Sequence, residues 1–278
     1  MLRPTQKLLR HAQQNGYALG AFNVYNLEGV TAVIQAAEAE HSPVLLQILP
    51  KALTFGGVPL VELCLAAGRE STVPVAVHLD HSTDEKHIEF ALRAGVQSVM
   101  ADGSDLDYHD NIAFTRRMAT HAHYHDATIE AELGKLSGTE DGLTVADFEA
   151  RMTDPAQAAE FVDQTGIDML AVCIGNVHGT YPTEPRLDFD RLARIRQAVD
   201  IPLVLHGASG LPEDAIRQSI ALGVCKFNVN TEVRHAYTGT IRMMPASADL
   251  LDIMQAVVDA MRHVVVEKMQ LFGSSGRV

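Results

Sequence analysis

With 278 residues, 47% of them hydrophobic and 21% charged, the chain has the length and apolar content of one α/β barrel, and residues 1–278 read as a single domain. A formal net charge of −13 argues against a nucleic-acid partner, which needs a basic face. No apolar run reads as long enough to span a membrane, and the start Met1-Leu2-Arg3-Pro4 lacks the apolar core of a secretion signal, so a cytoplasmic location is expected.

The predicted elements begin with "ALGAFNV" near residue 18 as a first strand. "EGVTAVIQAAEAE" follows, with Val30, Val33, Ile34 and Ala37 on one helical face. Ser42-Pro43, Val73-Pro74 and Ile201-Pro202 each open a β-branched or Leu-rich run ("VLLQIL", "VAVHLD", "LVLHG"), and proline is tolerated where a strand starts. Ala94-Gly95-Val96, Thr165-Gly166-Ile167 and Leu222-Gly223-Val224 each close a helical stretch with glycine before another apolar run. "ATIEAEL" from Ala127 adds one more strand. The strands thus fall near residues 18, 44, 75, 97, 127, 168, 203 and 225, each followed by a helix. Apolar strands alternating with helices indicate a parallel sheet buried on both faces. Eight such units predict a (β/α)8 TIM barrel. The alternative, an open doubly wound sheet, lacks a Gly-x-Gly-x-x-Gly after its first strand. Cys64, Cys173 and Cys225 lie in apolar segments without metal-type spacing and are expected as reduced core residues.

In such a barrel the chemistry sits at the C-terminal ends of the strands, and the polar residues gather there. Asn23 ends the first strand, while His78, Asp80 and His81 end the third. Asp102 ends the fourth, Glu130 and Glu132 share a face of the fifth, and His178 follows the sixth. His206 ends the seventh, and Asn228 and Asn230 end the eighth. Singly, each has an ordinary explanation: a hydrogen-bonded structural histidine, an asparagine in a turn, a solvated strand edge. Convergence of separate strand ends on one mouth weakens those explanations. Three neutral imidazoles with an open position suit a catalytic zinc, and His81, His178 and His206 form the candidate triple. His78 is expected to pack or orient; His87, His121, His123 and His125 fall in helical or exposed contexts. "HGASG" (206–210) and "NVNTE" (228–232) place glycines, a hydroxyl and a helix start, with Thr231 as expected N-cap, after the last two strands. Backbone N–H groups in such loops cradle phosphate, although either stretch alone would also serve as a turn or a cap.

Together these residues resemble the class II (zinc-dependent) ketose-bisphosphate aldolases, nearest the tagatose-bisphosphate type and related sugar aldolases. The likeness runs through "AFNVYN", "HLDHS", "GVQSVMADGS", "EAELGKLSGTEDG", "TDPAQAAEFVDQTGIDMLAVCIGNVHGTY", "IPLVLHGASG", "KFNVNTE" and "EKMQLFGSSGR". The resemblance implies reversible cleavage of a ketose (bis)phosphate to dihydroxyacetone phosphate and an aldehyde through a metal-stabilised enediolate. It implies Zn2+ on His81, His178 and His206, with Asp80 passing a proton to the aldehyde oxygen and Glu140 abstracting the donor proton from a loop, Gly134 to Gly142, that closes. Asp102 and Glu132 match an alternative metal position. Gly179, Gly207, Ser209, Asn228, Asn230 and Thr231 match the donor-phosphate site, and Asn23 a polar pocket residue. A monovalent cation and a homodimer or homotetramer also follow from the resemblance. Three loops depart from the family pattern: Ile48-Leu49-Pro50-Lys51, Gly179 to Thr183 without a lysine after Tyr181, and a short "MMPASADL". All three bear on the acceptor. The rival functions are a phosphosugar epimerase or isomerase on the same barrel and a non-catalytic companion subunit, which would be expected to have lost the ligands kept here.

Overall fold

The computed structural model describes residues 1–134, 137–140, 143–145, 152–178 and 185–278, with the backbone alone described at 137–140, 143–145 and 178. Its strands are β1 (Leu19–Asn23), β2 (Val44–Ile48), β3 (Val75–Ser82), β4 (Ser98–Ala101), β5 (Thr128–Leu133), β6 (Ser137–Glu140), β7 (Leu143–Val145), β8 (Met169–Val172), β9 (Val177–His178), β10 (Leu203–Leu205) and β11 (Val224–Val229). The helices are α1 (Thr5–Asn15), α2 (Leu27–Ala39), α3 (Pro50–Glu70), α4 (Glu85–Arg93), α5 (Tyr108–Tyr124), α6 (Pro155–Thr165), α7 (Phe189–Ala198), α8 (Glu213–Ala221), α9 (Thr231–Met243) and α10 (Leu250–Phe272). Eight strands close into a parallel barrel in the order β1-β11-β10-β8-β5-β4-β3-β2, and β7-β6-β9 form a small separate sheet. The molecule is a (β/α)8 barrel, with each expected strand in place.

The local signals act as their chemistry dictates. Asp84, Asp154, Asp188 and Asp249 each accept a hydrogen bond from a first-turn N–H of the helix they precede. Gly166 ends α6 in the left-handed conformation, φ 69°, a region costly for a residue with a Cβ. The expected cap at Thr231 is corrected: Asn230 holds the N-cap position of α9 without a side-chain cap bond, and Thr231 is the first helical residue. A second correction concerns α3, whose 21 residues are long and apolar enough to cross a membrane by length and composition. Gly57 leaves helical geometry inside it (φ 55°, ψ −153°), Pro59 follows, and Leu53, Leu60, Val61 and Cys64 are buried within the protein. It reads as a broken core helix. The three cysteines are buried thiols outside any disulfide, and burial pushes their pKa up to about 11 at Cys173 and about 12 at Cys64 and Cys225.

Inside the barrel the composition changes with height. At the bottom, Leu9 and Ala12 of α1 pack with Leu19, Ala21, Leu45, Ala76, Met169, Ala171 and Val204. Full burial of Leu9 alone contributes roughly 2 kcal/mol. Inward positions of β3, β5 and β11 are polar, with His78, Asp80, Glu130, Glu132 and Lys226 all buried. A two-residue alternation explains the pattern on β5, where Thr128, Glu130 and Glu132 share one face.

Candidate active site

Alternation along β3 places His78 and Asp80 on one face and would turn His81 to the other. The pairing of β3 with β4 shifts register between Leu79 and Ser82, and His81 has φ 44°. A bulge with a left-handed residue re-aims the side chain, so consecutive residues serve one site. The His81 ring lies 4.5 Å from that of His206, edge to face.

Each imidazole is held from behind by a carboxylate. His81 Nδ1 lies 2.7 Å from Asp102 Oδ2, and Asp102 Oδ1 accepts from Ser104 N at 3.1 Å and Ser104 Oγ at 2.7 Å. His206 Nε2 lies 2.9 Å from Glu130 Oε1. The inner nitrogens differ: His81 Nε2 is 4.0 Å from Asp80 Oδ1, and His206 Nδ1 is 3.2 Å from Glu132 Oε2, an ion-pair contact whose alignment is too poor for a hydrogen bond. Asp80 itself is fully buried and gripped by amides. Its Oδ1 accepts from Asn228 Nδ2 at 2.9 Å, and its Oδ2 from Asn23 Nδ2 at 3.0 Å and Gln47 Nε2 at 3.4 Å.

The electrostatics follow from these contacts. Burial works against ionisation of Asp102, yet hydrogen bonds from His81 and Ser104, with the His81 charge, hold its carboxyl well below the usual range. Burial likewise opposes the Glu130 carboxylate, but the Lys226 ammonium and the His206 bond overcome it and hold its pKa low. Burial and the neighbouring His81 lower His206, and the bond to Glu130 with the charge of Glu132 outweighs them, raising it to about 9. His78 goes the other way, lowered by burial and by Lys226, and its Nδ1 sits 2.7 Å from Ser98 Oγ. It is buried and packed in the barrel interior.

This donor set fits a divalent metal. Asp80, His81 and His206 bring one ligand atom each to within 4.8 Å of one another, and so do His81, Asp102 and Glu132. A carboxylate on the outer nitrogen of each imidazole is the usual arrangement behind a metal-binding histidine. The side chain of His178 lies outside the described residues, but its backbone does not. Val177–His178 pairs with β6, and Asn176 ties the preceding turn to the His206 carbonyl at 3.1 Å. Gly207, φ 67°, lies so close to this strand that an added Cβ would meet Val177 O at 2.0 Å. The strand bearing His178 therefore lies against the loop that follows His206.

Of the other expected residues, Ser209, Asn228 and Asn230 are buried at the ends of the adjacent strands β10 and β11, and Asn230 Oδ1 accepts from Tyr25 Oη at 2.9 Å. Glu140 lies on β6 opposite Leu143, its side chain outside the described residues; Gly179 and part of the expected loop, 135–136 and 141–142, also fall outside them. Sequence reasoning missed Lys226, whose signal was a lone lysine between Cys225 and Phe227 in an apolar strand, and it missed Gln47.

The family model for class-II fructose-bisphosphate aldolase matches residues 3–277. The YdjI aldolase from Escherichia coli K12 is 35% identical, with a TM-score of 0.90 over 100% of this chain and 99% of that one. A putative fructose-1,6-biphosphate aldolase from Coccidioides immitis is also 35% identical, with a TM-score of 0.94 over 98% and 97%. Fructose-bisphosphate aldolase from Campylobacter jejuni, 20% identical with a TM-score of 0.84, shares the fold. A family match along nearly the entire chain, on a barrel whose mouth gathers imidazoles and carboxylates, makes this protein a member of the class-II fructose-bisphosphate aldolases, metal-dependent aldehyde-lyases that cleave ketose phosphates.

Proposed function

We propose that the protein splits a ketose phosphate reversibly into dihydroxyacetone phosphate and an aldehyde, using one zinc ion held by His81, His178 and His206. The observation that carries this reading is the pairing of Asp80 and His81. One bulge turns adjacent residues into the same mouth, giving a metal-binding imidazole and a buried carboxylate side by side.

When bound, the metal supplies positive charge beside the donor carbonyl and so lowers the cost of breaking a bond at the adjacent carbon. The protein's own groups move the protons. In cleavage, Asp80 takes the proton from the C4 hydroxyl, the C3–C4 bond breaks with its electron pair left on C3, and the aldehyde departs. Glu140 returns a proton to C3, and both steps reverse in synthesis. Asn23, Gln47 and Asn228 aim N–H groups at the Asp80 oxygens, which keeps the carboxylate fixed while it exchanges its proton. Gly179, Gly207, Ser209, Asn228, Asn230 and Thr231 take the donor phosphate, with the N-terminus of α9 oriented to favour the anion. Asp102 and Glu132 offer an alternative metal position, and a monovalent cation and a dimer or tetramer complete the expected assembly.

The test is metal analysis with a retro-aldol assay over a panel of ketose phosphates. About one zinc per chain, with activity lost on chelation and restored by zinc, is expected. Full activity after exhaustive chelation would sink this reading.

A further inference from the structure

Lys226 is fully buried in the barrel interior, a costly place for an ammonium unless it is paired. The register of β10 on β11 jumps from Leu203↔Val224 to Val204↔Lys226, skipping Cys225. Nζ then lies 2.8 Å from Glu130 Oε2 and 2.8 Å from Asn228 Oδ1. Both contacts have a direction. An ammonium has only donors, so the Asn228 oxygen must face it and the Asn228 Nδ2 must face Asp80, 2.9 Å away. Glu130, with one oxygen on Lys226, presents the other to His206 Nε2 at 2.9 Å, so that nitrogen keeps its proton and Nδ1 is the one that gives its proton up to a metal.

We propose that Lys226 is a positioning residue that sets the polarity of two arms at once. Through Asn228 it aims the proton-transfer group Asp80, and through Glu130 it orients His206 for the metal. The inference rests on the roles proposed above for Asp80 and His206. Lys226 Nζ is engaged by Glu130 and Asn228, so its action runs through them.

A buried ion pair is also a stability element, and removing one member leaves an uncompensated charge. The test therefore uses two variants: Lys226→Met, and Lys226→Met with Glu130→Gln, which removes both charges at similar volume. Wild type and both variants are compared for thermal stability, zinc release to a chelator, and the ratio of carbon–carbon cleavage to proton exchange at the donor C3. Lys226→Met is expected to lose stability, and the double variant to regain most of it. In the double variant zinc release is expected to be about tenfold faster. The cleavage-to-exchange ratio is expected to fall about tenfold, because Asn228 can flip away from Asp80. A double variant with the wild-type ratio and zinc release would overturn the proposal, as would cleavage and exchange falling together, or failure of both variants to fold. Wild-type enzyme that holds no zinc would instead remove the underlying reading, and this one with it.

Discussion

Asn228 on β11 and Asp80 on β3 are joined by a 2.9 Å hydrogen bond inside the barrel mouth. Asn23 from β1 and Gln47 from β2 reach the other Asp80 oxygen, so three amides from three strands converge on one carboxylate. His81, the next residue, is anchored independently by Asp102. The proposed acid–base group and the proposed metal-binding imidazole are neighbours in sequence but have separate supports. Substitutions should therefore affect proton transfer and metal binding separately.

Gly207→Ala is expected to damage the metal centre. Its added Cβ would meet the Val177 carbonyl at 2.0 Å, and φ is 67°. Gly166 has φ 69° with nothing within 4 Å of an added Cβ, so Gly166→Ala reports the backbone strain alone. Strain of about 1–3 kcal/mol should lower the Tm of both variants by several degrees. Only Gly207→Ala should also lose bound zinc, because it displaces the strand that carries His178. Equal metal content in the two variants would contradict the role given to this close approach.

The raised His206 gives metal binding a pH dependence. Its folded-state pKa, about 9, lies above the ordinary 6.5. In the metal-free protein its stabilising contribution is complete below pH 6.5 and lost as pH rises through about 9. His78, shifted the opposite way, adds its effect below pH 6.5 and leaves this window clear. Metal-free enzyme should therefore lose Tm between pH 6.5 and 9, while His206→Gln shows a flatter profile. Metal must displace the His206 proton, so uptake at pH 7.5 should release about one proton, seen by calorimetry in buffers of different ionisation enthalpy. Absence of proton release would contradict the protonated, carboxylate-paired state.

Much of this site was legible because its chemistry is local. Pro43, Pro74 and Pro202 mark strand starts, Gly166 a helix end, and polar residues after apolar runs mark the mouth. The long-range parts were not. Nothing in "HLDHS" announces the register shift that brings His81 beside His206, because a bulge is a property of two paired strands. Lys226 shares a strand face with Asn228, but the carboxylate that pairs it, Glu130, lies on β5, distant in sequence. Helix α1 was missed because its few apolar positions, Leu9 and Ala12, gain their meaning only from the barrel floor they cover. Thr231 failed as a cap because the helix starts on it.

At the acceptor end, permissive specificity is expected. Leu49 is buried at the N-cap of α3 without a side-chain oxygen, and Pro50 at its first turn has no N–H. Leu49 offers a second phosphate no hydroxyl and Pro50 no N–H, which leaves the ammonium of Lys51 to meet it. Values of kcat/KM for fructose 1,6-bisphosphate, tagatose 1,6-bisphosphate and the corresponding 1-phosphates should lie within about a hundredfold, near 3 kcal/mol of transition-state binding. A larger preference for either bisphosphate would reveal a dedicated second phosphate site.

The central claim is that Asp80 moves the proton at the aldehyde oxygen while a different group handles the donor proton. It is tested most directly in zinc-loaded Asp80→Ala, by measuring cleavage and exchange of the C3 proton of dihydroxyacetone phosphate on the same preparation. Cleavage should fall by roughly 100-fold or more, the scale of a lost general acid–base group, while exchange stays within about tenfold of wild type. Exchange falling in step with cleavage would contradict the account.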